Sequence, residues 1–284
     1  MLKKRISFFF IILISLLPAV NLYAAREQEI SKTFEAKKTV RITTVCGDGI
    51  IRPGQSNRIE VHLVYSFSPH DAYEPFFRDK GNNLHLGEEI DGSTSGRATW
   101  TLTVPPETKI DFSSASGDFE ATSLTGRVIV ETASGDITLS DYNGELRVES
   151  ASGDIRLNNC RGTFKIETAS GDIEALNTFI DQAGFFESAS GDVYVQLAES
   201  AEFDLNLSSA AGRATLDYNG NPVRGHFEFV TLYRHGRISS PFAFDLEEEF
   251  ERYRQNYIRK SLTLGSNTPE IIIETGVGKA ILEK

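Results

Sequence analysis

The sequence predicts an all-β protein: a single-stranded parallel β-solenoid, β-helix-like, with coils of about 18 residues and one short helical insertion near the C-terminus. Three observations carry this. One tetrapeptide recurs at near-constant spacing, apolar and charged residues alternate around each copy, and the interval between copies leaves no room for a helical crossover.

The tetrapeptide is Ala-Ser-Gly-Asp, and its glycines are separated by 18, 18, 18 and 20 residues. The resulting corner motif is Ser116-Gly117-Asp118, Ser134-Gly135-Asp136, Ser152-Gly153-Asp154, Ser170-Gly171-Asp172 and Ser190-Gly191-Asp192. Before each glycine stand paired apolar residues: Ile110 and Phe112, Val128 and Val130, Leu146 and Val148, Phe164 and Ile166. After it come Phe119, Ile137, Ile155, Ile173 and Val193, then Ala121, Leu139, Leu157, Ala175 and Val195. Arg147, Glu149, Arg156, Lys165, Glu167 and Glu174 fill the positions between. This alternation has the period of a strand, apolar side inward. One coil per repeat then stacks equivalent residues at ~4.8 Å and fills the interior with apolar columns. Gly126, Gly144 and Gly162, nine residues ahead of the motif glycines, mark a second corner with positive φ.

Degenerate coils extend the array. Val40 to Asp48 repeats the apolar positions of Leu146 to Asp154. Leu205, Leu207 and Gly212 repeat them with Arg213 in the Asp position, and Ile271, Ile273 and Gly278 with Lys279 there. The pattern therefore runs from about residue 33 onward, with irregular coils at the ends where an open edge would invite aggregation.

At the N-terminus, Lys3, Lys4 and Arg5 precede an apolar run from Ile6 to Leu17, broken by Pro18, with Leu22-Tyr23-Ala24 as a cleavage site. This is the layout of a secretory signal peptide, residues 1–24; an uncleaved anchor is the alternative. Residues 1–24 hold three basic and no acidic residues, so their removal takes the net charge from −11 to −14. Such a chain is not expected to seek nucleic acid. Residues 25–284 then form one domain: an irregular part 25–109, regular coils 110–220, an insertion 221–265 and a closing coil 266–284. The expected location is exported, in the periplasm, at the cell surface or outside the cell.

Two segments interrupt the coils. Residues 66–97 read as an excursion between strands around Ile59–Tyr65 and Ala98–Val104, and Tyr73, Phe76 and Phe77 within it form either a partner-binding surface or a cover for the solenoid's side or end. Residues 245–260 read as a helix: Leu246, Phe250, Tyr253 and Tyr257 share a face, Glu247 to Glu249 lie at its start, and Arg259 and Lys260 at its end.

The Ser-Gly-Asp-Ile repeats, the segment Leu102 to Pro105 and the stretch Ile271 to Gly276 resemble the bacterial putative-adhesin β-solenoid family, a domain of unknown function. The resemblance implies a right-handed parallel solenoid in an exported protein, and it brings no catalytic residues.

The repeated aspartates stack along one corner, as a calcium ladder or as side chains that each accept backbone N–H groups in their own turn. Asp recurs in only one half of each coil and no double glycine accompanies it, which favours the turn role; no metal or other cofactor is expected. Glu131, Glu149 and Glu167 are the carboxylates a carbohydrate-active enzyme on this fold would use, but they recur with the coil and read as a solvated face. His62, His70, His85, His226 and His235 show no metal-ligand spacing, and Gly276 to Lys279 lacks the full phosphate-loop pattern. Cys46 and Cys160 fall several coils apart, too far for a disulfide, so both are expected as free thiols. The expected function is a non-catalytic scaffold or adhesion module for a protein or surface polymer, the alternative a polysaccharide lyase or hydrolase.

Overall fold

The computed structural model describes residues 27–92, 94–265 and 268–284; the expected signal segment lies outside them. No α-helix occurs among the described residues. Each coil supplies one strand before its Gly corner and one after it, forming a leading and a trailing sheet whose inward residues meet in one core.

In the central coils the leading strands are Lys109–Ser114, Thr125–Thr132, Asn143–Ser150 and Arg161–Thr168, paired in parallel so that Val130, Val148 and Ile166 stack. The trailing strands Phe119–Thr122, Ile137–Ser140 and Ile155–Asn158 stack Phe119 on Ile137 on Ile155. Val130, Val148, Ile166, Ile137 and Ile155 are 0 % exposed, as a period-two inward face requires. The second corner carries the positive φ expected of Gly126, Gly144 and Gly162. Three residues earlier, Ser123, Asp141 and Asn159, with Asn177 at the same place in the next coil, adopt left-handed backbone with φ of 51–55°, a conformation short polar side chains tolerate best after glycine. Asn159 donates to Asp141 and Asn177 donates to Asn159, at 2.6 and 2.9 Å, so this corner has an amide ladder of its own.

Stacking order departs from chain order at both ends. Thr39–Thr44 and Gly47–Pro53 form a coil directly against Lys109–Ser114 and Phe119–Thr122. The segment expected as an excursion supplies a further coil, Asn83–Ile90 with Ser95–Val104, stacked in parallel on the outer side of that one. At the other end, Glu270–Thr275 and Lys279–Glu283 do not close the stack. They lie between Leu205–Ser209 with Arg213–Asp217 and the outermost coil, Gly225–Leu232 with Arg237–Ser239.

Antiparallel strands cover these ends, so the sheets are mixed rather than parallel throughout. Arg58–Ser68 runs against Ser95–Val104 and Gln28–Glu35 against Arg58–Ser68, while Tyr73–Lys80 runs against Asn83–Ile90. The expected helix at 245–260 is a hairpin, Leu246–Arg252 with Gln255–Leu264, turning at Tyr253 and Arg254, both with positive φ. The residues that share a helical face are cross-strand neighbours here. Phe250 is opposite Tyr257 with ring centroids 5.6 Å apart, and Glu247 and Glu248 pair with Lys260 and Arg259. An acid-first, base-last segment satisfies a hairpin by folding its two halves together as well as it satisfies a helix dipole, and only the hairpin pairs the edge of Gly225–Leu232.

Both cysteines are free, Cys160 fully buried and Cys46 half-buried.

Candidate functional site

The repeated corner motif packs and bonds one coil to the next. The glycines allow coils to touch: a Cβ on Gly153 would lie 1.8 Å from the Gly135 carbonyl oxygen, and one on Gly135 1.9 Å from that of Gly117. The motif serine donates to the previous coil, Ser134 to the Ala115 carbonyl and Ser152 to that of Ala133, at 3.3 and 3.1 Å. The aspartates do not cap their own turns. Asp118 Oδ1 accepts the amide of Asp136, Asp136 that of Asp154, Asp154 that of Asp172 and Asp172 that of Asp192, at 2.8–3.0 Å. Each carboxylate is thus used by the following coil, and the same ladder begins at Asp48, which accepts from Asp118.

A further column belongs to this corner. Ser114, Thr132, Ser150, Thr168, Ser188, Ser209 and Thr275 each accept, from inside, the amide of the glycine three residues on. Its signal in the sequence is a hydroxyl residue always three before the motif glycine, a position the apolar reading passes over.

The two ends of the Asp column differ electrostatically. Burial pushes the Asp48 carboxyl up, against the Asp118 amide bond and with the help of the Asp118 charge. Burial also acts upward on Asp192, but the Arg213 guanidinium and amide outweigh it and hold the carboxyl below the usual range. Arg213 reaches Asp192 Oδ2 through Nε at 2.9 Å and Nη2 at 2.6 Å.

Tyr73, Phe76 and Phe77 lie on one strand over the outer N-terminal coil. Tyr73 is 5 % exposed, packed on Tyr65 and Phe67; Phe77 packs between Phe34 and Trp100, and Phe76 against His85. The cluster covers that end of the core, and its Tyr73 presents no surface to a partner.

Glu131, Glu149, Glu167 and Glu187 stack in one row of the leading sheet's outer face. Arg147 pairs with Glu149 and Lys165 with Glu167, which disperses the charge along the row. Among the described residues no group of three or more His, Cys, Asp or Glu side chains is placed to hold a metal ion.

A hollow of about 410 Å³ lies on the outer face of the trailing sheet. Arg156, Glu174, Tyr194, Thr215 and Ile281 line it and occupy one register row, so the groove crosses the strands and spans ~19 Å at the usual strand spacing. Tyr194 sits mid-row and donates to Asp217 Oδ2 at 2.8 Å, while Gln196 donates to the same oxygen at 3.0 Å. Burial and this bond push the Tyr194 phenol up to about 12. Asp217 is held low: burial acts upward, and the bonds from Gln196, the Asn219 amide and Tyr194 outweigh it. The bond anchors the Tyr194 side chain in a lining that also holds the cation of Arg156, itself bonded to Asp154, and the apolar Ile281. Nothing in the motif pattern marks this row, because its members differ in every coil.

A solenoid with laddered corners and a groove across its coils is a class of protein that presents a fixed face along its length. Residues 106–228 match the family described as Toastrack DUF4097. No curated protein matches the chain in sequence. Among solved structures, a "putative adhesin" from Bacteroides fragilis aligns over 90 % of this chain and 97 % of its own at 16 % identity, with a TM-score of 0.51. A "putative cell adhesion protein" from Clostridium sporogenes aligns over 91 % and 99 % at 16 % identity and a TM-score of 0.32. A "putative lipid binding protein" from Parabacteroides distasonis aligns over 92 % and 98 % at 11 % identity and a TM-score of 0.42. The first of these supports the fold; the other two are too distant to argue from.

Proposed function

We propose that the protein is an exported, non-catalytic β-solenoid module that binds an extended partner, a surface polymer or protein strand, along the trailing-sheet groove. The observation that carries the reading is the row Arg156, Glu174, Tyr194, Thr215 and Ile281: a different residue in each coil, lined up across the stack. The repeated aspartates and buried hydroxyls elsewhere are taken up by backbone amides of the coils, whereas this row combines an aromatic platform with both charges and an apolar end. An open groove of this kind suits a chain-like ligand whose units stack on an aromatic ring and hydrogen-bond at its edges. The basic and apolar N-terminal segment supports export, and the name "putative adhesin" of the Bacteroides fragilis structure agrees with a binding role.

The test is cosedimentation of the purified protein with a panel of insoluble cell-wall polysaccharides, for wild type and Tyr194→Ala. Retention by at least one polymer, weakened tenfold or more in the variant, is expected. Equal retention of the two proteins overturns the groove reading, and retention by no polymer overturns a polysaccharide as its occupant.

A further inference from the structure

The aspartate ladder ends in cations. Above Asp192 the same corner position holds Arg213, then Lys279, then Arg237, in direct register. Arg213 is consumed by Asp192, which accepts both its amide and its guanidinium. Lys279 stacks on Arg213, a side chain with no lone pair to offer, so no carboxylate stands at the corner between these two coils. Among the described residues neither Lys279 nor Arg237 is in an ion pair, in a chain whose net charge is −11. Both line a hollow of about 380 Å³, together with His235 and the motif glycine Gly278.

We infer that this end of the corner is a binding site for an oxyanion, a carboxylate or phosphate group that takes the place of the missing aspartate. Its charge faces the Lys279 ammonium and the Arg237 guanidinium, with His235 beside them. Two stacked cations without counter-charge repel each other, and a bound anion relieves this. The site does not depend on the groove reading, although the two hollows meet at Asp192 and Arg213. The anion is either free in solution or carried on a polymer.

The experiment follows the Lys279 amide by ¹⁵N–¹H NMR while the protein is titrated with sodium phosphate, sodium chloride at equal ionic strength, or polygalacturonate. A saturable shift with phosphate that chloride does not reproduce assigns a free anion; saturation by polygalacturonate at least tenfold lower in carboxylate concentration assigns a polymer-borne one. Two exposed-site variants keep the test independent of folding. Lys279→Gln with Arg237→Gln is expected to weaken binding tenfold or more, read on neighbouring amides. Arg213→Asp restores the carboxylate and is expected to abolish binding while leaving the other coils unshifted. Linear, chloride-like shifts with every anion, or saturation unchanged in Arg213→Asp, overturn the inference.

Discussion

Substitution of Gly153 by alanine tests whether the corner glycines are required by contact. Gly153 does not have positive φ, so alanine there carries no backbone strain, and in open space it would stabilise by ~0.4–1 kcal/mol through the unfolded chain. In the stack its Cβ would lie 1.8 Å from the Gly135 oxygen and 2.6 Å from the Gly135 carbonyl carbon. Both groups are backbone, so relief requires the coils to part locally by more than an ångström. Four bonds hold them at that point: Asp154 amide to Asp136 at 2.9 Å, Ile137 amide to the Asp154 carbonyl at 2.9 Å, Ser152 Oγ to Ala133 at 3.1 Å and the Ala151 amide to Thr132 at 3.1 Å. At ~0.5–1.5 kcal/mol net each, losing most of them costs about 2–5 kcal/mol, which outweighs the entropic gain. Urea unfolding followed by far-ultraviolet circular dichroism gives the loss, and hydrogen exchange at residues 151–154 shows whether it is local. A Gly153→Ala protein as stable as wild type, or more so, refutes the contact argument.

Other outcomes follow from the same geometry. Val148→Asp, which puts an unpaired charge at a fully buried position, is expected to cost several kcal/mol; unchanged thermal stability would mean the inward assignment is wrong. Asp192 has a lowered carboxyl, so its contribution is complete above the unfolded value of ~3.9 and disappears as pH falls through the lower folded value. The pair is largely exposed, so Arg213→Gln should cost under about 1 kcal/mol at pH 6 and less again at pH 2–3, by urea titration; a cost that grows on acidification contradicts the sign. Asn159→Val should lose ~1–2 kcal/mol at its left-handed corner and Asn159→Gly less, and equal losses would deny the backbone origin. A thiol reagent should take up two equivalents after denaturation but leave Cys160 unmodified in the native protein; native labelling of Cys160, mapped by mass spectrometry, would show that its coil opens readily.

The core was legible because burial repeats twice over, every second residue along a strand and every 18 along the chain, as Ile137 and Ile155 show. The motif glycines were legible as a repeat, and their reason, carbonyl contact between coils, is three-dimensional. Stack order was hidden for a different cause. Val40 and Ile42 carry the same apolar pattern as every other coil, so sequence alone fits them into any slot. The hairpin at 246–264 was misread because Phe250 and Tyr257 suit both a helical face and a cross-strand pair. The groove row escaped notice since its members share a place in space and no residue type.

Interleaving at the ends gives the molecule two scales of contact. Central coils touch partners 18 residues away, as Asp136 and Asp154 do, whereas Thr44 reaches Ser114 across 70 residues and Asp204 reaches Glu270 across 66. Closing the longer loop costs ~1.2 kcal/mol more chain entropy than closing the shorter. The middle of the stack is therefore expected to form first and the two ends to dock onto it, an order that pulse-labelled hydrogen exchange would reverse if the terminal coils were protected earlier. The same arrangement makes the middle a ruler. Gain or loss of one 18-residue unit between Thr125 and Thr168 changes the protein's length by ~4.8 Å and keeps every column in register, while both closures, folded back on themselves, are left untouched.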